Sequence, residues 1–405
     1  MYIRTFSIRN FKIHRDTALA LFPITVFVGP NSGGKSAIFD ALVNFSMVCR
    51  GNLAEAFGEY PYSFDAMRHH GASQAARIRY EAELLERPED TESLRYTIEF
   101  SQNPPTRGGP TYVIYNEELA VGTRRLFSRS EDICELSGVS NLDYDGRSIF
   151  AAIRRAQWSD DFNQSQPLVA HCAREISRIG RYRLEPALLA RPGNVFDVDP
   201  GEGDKTSPTP RVSYQGGGLA SVLYFLSETQ NPAIEQIAGR VAAAIEGFEG
   251  FEFNRVGSDS VGFSVRFSDN RGAVVAPNVS DGCLSMIGLA ALALAPGHPG
   301  VLCIEEPENG LTPKATRVFY EIVCQLARAD DPGGQVLLSS HSPFVIVNAW
   351  NGTERDFIYQ CHPSGGMAKI SRFADVVHEG GVLRSDGTLG LALAEQIMDG
   401  FRYQL

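Results

Sequence analysis

The run Ile24-Thr25-Val26-Phe27-Val28 passes directly into Gly29-Pro30-Asn31-Ser32-Gly33-Gly34-Lys35-Ser36, and a helical pattern follows. No other stretch restricts the fold so strongly. A G-x-x-x-x-G-K-[ST] loop between a buried strand and a helix cradles phosphate. Its glycines let successive backbone N–H groups curl around an anion with no Cβ in the way. The helix behind it offers the positive end of its dipole to the same anion. Gly29, Pro30, Asn31, Ser32, Gly33 and Gly34 are therefore the expected nucleotide cradle. Lys35 is expected to reach the β- and γ-phosphates, and the Ser36 hydroxyl to hold Mg²⁺.

Bulk properties narrow the class. The 405 residues are 43% apolar, enough for a core. A net charge of −11 argues against a protein that coats nucleic acid over its whole surface. The seven cysteines form no C-x-x-C, so neither a zinc ribbon nor a disulfide framework is indicated. Met1 to Phe6 alternates rather than forming a signal-peptide core. The longest apolar stretch, Met286 to Ala295, is about half of a ~20-residue membrane span. The expectation is a cytoplasmic chain with no membrane partner.

Along the chain, Tyr2 to Arg9 and Ile24 to Val28 read as strands around a short polar segment. Ile38, Ala41, Leu42 and Phe45 recur at helical spacing. Ala76 to Phe100 alternates like strands, and 101–110 is a loop by composition. Gly146 to Ile179 reads as helical, and Pro192 to Gly218 as a long connection. Helices resume near Leu219–Leu226 and Ile234–Ile245. Val261, Phe263, Val265 and Phe267 alternate, and Asp269-Asn270-Arg271-Gly272 turns them into a hairpin with Val274-Val275. Ser280 opens a helix to about Ala295. Thr312-Pro313 opens another, with Thr as N-cap and Pro at N1. There is no internal repeat and no heptad run long enough for a coiled-coil arm.

The loop alone does not separate kinases, GTPases and ATPases; downstream partners do. Val301-Leu302-Cys303-Ile304 is a buried-strand pattern ending in Glu305-Glu306-Pro307. In a parallel sheet such a strand delivers its terminal acids to the ligand edge. Glu305 is then placed to hold Mg²⁺, and Glu306 to act as general base on water. Val336-Leu337-Leu338 runs into Ser339-Ser340-His341-Ser342-Pro343, which puts His341 at the same kind of edge. No N-K-x-D guanine signature is present.

Together these motifs resemble the ATP-binding-cassette type of ATPase head. More narrowly they resemble the RecF/SMC-like and OLD-like bacterial group labelled "AAA family ATPase". The likeness rests on Ile8-Arg9-Asn10-Phe11-Lys12, Gly29 to Ser36, Ser280-Asp281-Gly282, Ile304 to Leu311, and Ser339 to Pro343. It implies an α/β P-loop fold with a mixed or parallel sheet, flanking helices, an antiparallel β subdomain and a helical insertion. One head would span 1–405, with an N-terminal lobe at 1–100, a mostly helical insertion at 101–218, and a C-terminal lobe at 219–405. It also implies ATP hydrolysis with Mg²⁺ and a head-to-tail homodimer, or a higher assembly of dimers. In that dimer Ser280, Asp281 and Gly282 contact the nucleotide of the other copy. Asn309-Gly310-Leu311 matches the dimer-crossing loop, His341 the switch histidine, and Lys12 a basic residue near the nucleotide. Lys35, Glu306 and His341 are thus the expected catalytic set.

The chain departs from the family pattern in places. Glu305 stands where Asp is usual, and Thr312 where His is frequent. Gln74 is the one glutamine nominated for the metal-linking loop.

About sixty residues follow His341, too few for a typical nuclease domain. The resemblance therefore implies a stand-alone sensor or motor for a separate nuclease or toxin, as in anti-phage defence operons. One alternative is a repair ATPase that binds duplex DNA. Its support is Arg174, Arg178, Arg181, Arg183 and Arg191, the first three at helical spacing, together with Arg154-Arg155. Another is an ATP-gated scaffold whose turnover Glu305 cripples.

Overall fold

The computed structural model describes residues 1–51, 53–57, 63–73, 76–103, 112–130, 133–134, 136, 147–155, 165–194, 210–268, 272–297, 299–328, 334–352, 357–380, 388–392 and 394–395. The chain divides into two compact units. One comprises Met1–Pro23, Gly29–Ile179 and Tyr359–Ser371; the other Ile24–Val28, Gly180–Ile358 and Arg372–Leu405. Among the described residues no helix is long and apolar enough to cross a membrane.

The first unit is built on a seven-stranded antiparallel sheet. Its order is His14–Ala20, Tyr2–Phe11, Ile78–Leu85, Leu94–Gln102, Tyr112–Val121, Arg124–Ser128, Ile133–Cys134. Period-two patterning sets the register. Ile78, Tyr80, Ala82 and Leu84 face Phe100, Ile98, Tyr96 and Leu94 across one ladder, and all eight are buried. The helix Lys35–Arg50 packs against these residues. The Phe45 ring lies 5.4 Å from Phe6, 5.8 Å from Tyr80 and 5.9 Å from Tyr96. Offset and edge-on aromatic contacts at this spacing add to area burial. Asn44 on that helix accepts a buried hydrogen bond from Tyr80 Oη at 2.8 Å. The helix that follows the glycine loop is thus anchored by its own apolar face.

Two readings of this unit are corrected. The polar segment after Arg9 is an edge strand, His14–Ala20, whose inward residues include His14 and Thr17, so hydropathy does not reveal it. The span 101–218, expected to be mostly helical, contributes the strands Tyr112–Val121, Arg124–Ser128 and Ile133–Cys134. There the period-two signal is broken by a buried carboxylate. Glu117 is fully buried and paired with Arg129 at 2.8 Å, accepts from Tyr96 Oη at 2.7 Å, and also accepts from the Ile149 amide. The helices Ile149–Arg155 and Pro167–Glu175 do occur in this span. The loop expected at 104–110, most of the connection at 195–209, the turn at 269–271 and Gln74 lie outside the described residues.

The second unit holds three parallel strands, Ile24–Val28, Gln335–Ser340 and Val301–Glu305, in that spatial order. Every residue in them is buried, as expected of strands covered on both faces. The strand Ile179–Tyr182 borders Val301–Glu305 on the far side. Helices Leu219–Glu228, Ala233–Ala244, Asp281–Leu294, Pro313–Arg328 and Pro343–Asn351 share one core with these strands. Pro313–Arg328 shows why. Ala315, Val318, Phe319, Ile322, Val323 and Leu326 are buried at helical spacing, while Arg317 and Glu321 pair on the open face. Thr312 Oγ1 accepts from the Ala315 amide at 3.3 Å and caps the helix. The strand Ser260–Phe267 pairs antiparallel with Gly193–Asn194, Phe248–Arg255 and Ala273–Val275, which gives the expected hairpin.

Candidate functional site

The glycine loop begins one peptide bond beyond the buried strand Ile24–Val28. Gly34, at φ 91°, is the left-handed residue that turns the chain into the helix Lys35–Arg50. A Cβ on Gly33 would sit 2.5 Å from the Cys361 carbonyl oxygen, so backbone approach fixes that position as glycine. Lys35 is buried, and its ammonium donates to the Gly29 carbonyl at 2.7 Å and the Pro30 carbonyl at 2.9 Å. Asn31, Ser32 and Ser36 are exposed at the rim. The helix has no side-chain cap and no acid in its first turn. Its N-terminal backbone donors are thus the element best placed to meet an anion.

Behind the loop lies a histidine that the sequence reading missed. His14 is fully buried. Its Nε2 donates to the Gly34 carbonyl at 3.1 Å, and its Nδ1 meets Thr17 Oγ1 at 3.0 Å. A carbonyl only accepts, so Nε2 carries the proton and Nδ1 accepts from the threonine. Burial pulls the pKa down to about 4, and the ring is neutral. Lys12, expected near the nucleotide, has its ammonium on Asp40 at 2.5 Å. Its backbone is tied to Met67 and His69.

The second unit carries an acid edge. In register, Val28 lies opposite Ser340, and Ser339 opposite Glu305. Three parallel strands therefore end together, and the glycine loop, Glu305-Glu306 and His341 each continue from one of those ends. Glu305 is buried, and its Oε1 accepts from Arg181 Nε. Glu306 adopts a left-handed backbone, φ 46°, which a residue with a Cβ rarely takes. Its amide donates to the Ser339 carbonyl at 2.9 Å. Its carboxylate accepts from Asn309 Nδ2 at 2.9 Å, lies 3.3 Å from His341 Nε2, and lies 3.6 Å from Arg183 Nη2.

Glu308, to which the sequence reading gave no role, fixes the histidine strand. Its Oε1 accepts from Ser340 Oγ at 2.8 Å and the His341 amide at 2.9 Å, and burial raises its pKa. Only its spacing from the acid pair could have pointed to it.

Ser280 is the extended N-cap of Asp281–Leu294 and accepts no hydrogen bond through its side chain; it and Asp281 are exposed. Gly282 is in backbone contact with Gly310, so the signature turn and the Asn309-Gly310-Leu311 loop meet within one unit.

The arginine run does not form the expected helical stripe. Arg174 and Arg178 both pair with Glu175, at 3.7 and 3.0 Å. Arg181 lies on the strand Ile179–Tyr182 and Arg183 just beyond it, and the two pair with Glu305 and Glu306 respectively. Arg154 lies on the helix Ile149–Arg155, and the Arg155 side chain is outside the described residues.

Two family models match. Residues 1–98 match "AAA ATPase domain", and residues 203–348 match "AAA domain, putative AbiEii toxin, Type IV TA system". No curated protein matches the chain. Among solved structures, an SMC head bound to the C-winged helix domain of ScpA superposes with a TM-score of 0.52 at 14% identity, covering 93% of this chain and 100% of that one. The SMC head domain from Thermotoga maritima gives 0.43 at 14% identity, with 92% and 99% covered. An Smc head with an extended coiled coil, bound to the C-terminal domain of ScpA derived from Pyrococcus furiosus, gives 0.47 at 13% identity, with 99% of each chain covered. The chain thus carries AAA-type ATPase matches at residues 1–98 and 203–348 on a fold like that of an SMC ATPase head.

Proposed function

We propose that this head binds ATP with Mg²⁺ at Gly29–Ser36, hydrolyses it with Glu306 as general base, and closes head to tail on a second copy. The observation that carries the reading is the common end of three parallel strands, from which the glycine loop, the acid pair and His341 all emerge. The donor set fits the group. The ammonium and the uncapped helix N-terminus suit phosphate oxygens, and the hydroxyl and the buried carboxylate suit a metal that keeps waters and phosphate oxygens as its other ligands. Ser36 and Glu305 are the metal-holding residues in this account. When bound, Mg²⁺ supplies charge neutralisation to the phosphates.

The remaining roles belong to the chain. Lys35 exchanges its two carbonyl partners for phosphate oxygens. Glu306, held by Asn309 and His341, orients and deprotonates the attacking water. His341 sits 3.3 Å from that carboxylate, so it can report γ-phosphate loss to the base. Exposed Ser280 and Asp281 leave the signature helix N-terminus open to the nucleotide of a second copy.

In this reading closure drives a separate effector, a nuclease or toxin, in anti-phage defence. The toxin wording of the matched C-terminal model supports that setting. The duplex-DNA alternative loses its main support, because four of its five arginines are paired with carboxylates. The scaffold alternative predicts no turnover in the parent and recovery in Glu305→Asp. Tagged Glu306→Gln protein, purified from its host with ATP, tests the effector claim. A stoichiometric nuclease or toxin chain supports it; bound DNA with no protein partner supports repair instead.

A further inference from the structure

The acid pair has an unusual companion. The strand Ile179–Tyr182 is hydrogen-bonded beside Val301–Glu305; Arg181 within it and Arg183 just past its end bring one guanidinium to each acid. Arg181 Nε donates to Glu305 Oε1, with the two side chains only 15% and 3% exposed. Arg183 Nη2 lies 3.6 Å from Glu306 Oε2 at a more open position.

The surroundings fix this strand. The Arg183 amide donates to the Tyr214 carbonyl at 2.9 Å, and the Glu185 amide to the Gln215 carbonyl at 2.9 Å. The Arg181 guanidinium stands 5.3 Å over the Tyr214 ring. A Cβ on Gly180 would lie 2.6 Å from Pro299, so the backbone is pressed against its neighbour there.

We propose that Arg181 is a positioning residue that holds Glu305 and sets the metal affinity of the site. This inference rests on the reading of Glu305 as a metal-holding residue. A hard divalent cation needs that carboxylate, directly or through water. The lone pair that accepts the Arg181 N–H is withdrawn from the metal. A guanidinium at hydrogen-bond distance also repels a second cation in a site this dry. Metal entry therefore requires Arg181 to release Oε1. The released group is a planar fork suited to phosphate oxygens. Metal and polyphosphate are thereby coupled, Glu305 passing to the metal as Arg181 passes to phosphate. The metal alone binds poorly, and so the head does not close on Mg²⁺ without nucleotide.

The test compares the full chain with Arg181→Met, which keeps the aliphatic stem and removes the cation. Mn²⁺ alone is titrated and free Mn²⁺ is read by electron paramagnetic resonance. A fluorescent non-hydrolysable ATP analogue is then titrated at saturating Mg²⁺. Arg181→Met is expected to bind Mn²⁺ alone about tenfold more tightly, a change of about 1.4 kcal/mol. The same variant is expected to bind the analogue several-fold more weakly. A merely structural role would weaken both. Mn²⁺ binding that is unchanged or weaker in the variant overturns the proposal. If Arg181→Met does not fold, Arg181→Lys keeps a cation but loses the Nε–H. It is expected to tighten Mn²⁺ roughly two- to threefold, and no tightening overturns the proposal. Failure of the parent to bind the analogue with metal would instead sink the nucleotide reading itself.

Discussion

The glycine loop and the acid edge solve opposite electrostatic problems in different ways. In the loop a buried ammonium, Lys35, is satisfied by two neutral carbonyls of its own loop, and the histidine behind it is held neutral. At the edge, a buried carboxylate and its neighbour are each met by a formal cation from a distant segment. Neutral partners hold a cation weakly enough that an anion can replace them. A guanidinium holds a carboxylate strongly, and removing either partner leaves a buried charge exposed to the full desolvation penalty. On the proposed reading the loop is ready for phosphate, whereas the edge has to be unlocked before it accepts a metal.

The strongest way to sharpen that contrast is at the edge. Glu306→Gln keeps the shape and the Asn309 contact but removes the base. Turnover is expected to fall on the order of 1,000-fold while ATP binding persists, measured by phosphate release and by equilibrium binding. On the loop side, Lys35→Ala is expected to weaken ATP binding about 100-fold, from the loss of a charge-assisted contact of about 3 kcal/mol. Isothermal titration checks it. Equal loss of binding in both variants would erase the distinction between the two regions.

Acid should act on the loop first. The pKa of His14 is about 4 when folded against 6.5 unfolded, so below 6.5 the unfolded chain takes up the proton that the folded chain refuses. Stability that is fully present above pH 6.5 is lost as pH falls toward about 4, by roughly 3 kcal/mol. Chemical denaturation at stepped pH reads this, and His14→Gln should flatten the slope. The smallest effect expected is in His341→Ala. The loss of one contact to Glu306 should slow turnover about tenfold with ATP affinity unchanged.

The two regions also differ in how far the sequence reveals them. The loop is contiguous, and the strand before it and the helix after it carry their own patterns, so its place is legible from Ile24 to Phe45. The strands ending at Glu305 and Ser340 are legible for the same reason, as short buried runs that stop at polar residues. The partners of the acids are not. Arg181 lies 124 residues from Glu305, and nothing in its local pattern distinguishes it from a solvent-facing helix. The strand Tyr112–Val121 was hidden by its buried Glu117, whose compensation by Arg129, Tyr96 and the Ile149 amide exists only in three dimensions. Apolar periodicity reports burial of apolar groups. It is silent where burial is of charge, as at Glu305 and Glu117.

The central claim is that ATP joins two copies of this chain. The mass of Glu306→Gln protein in solution, measured by light scattering with and without Mg²⁺–ATP and with bound nucleotide quantified, tests it directly. The account predicts a monomer without nucleotide and a doubled mass with ATP, carrying one nucleotide per chain. A chain that binds ATP and stays monomeric would contradict it.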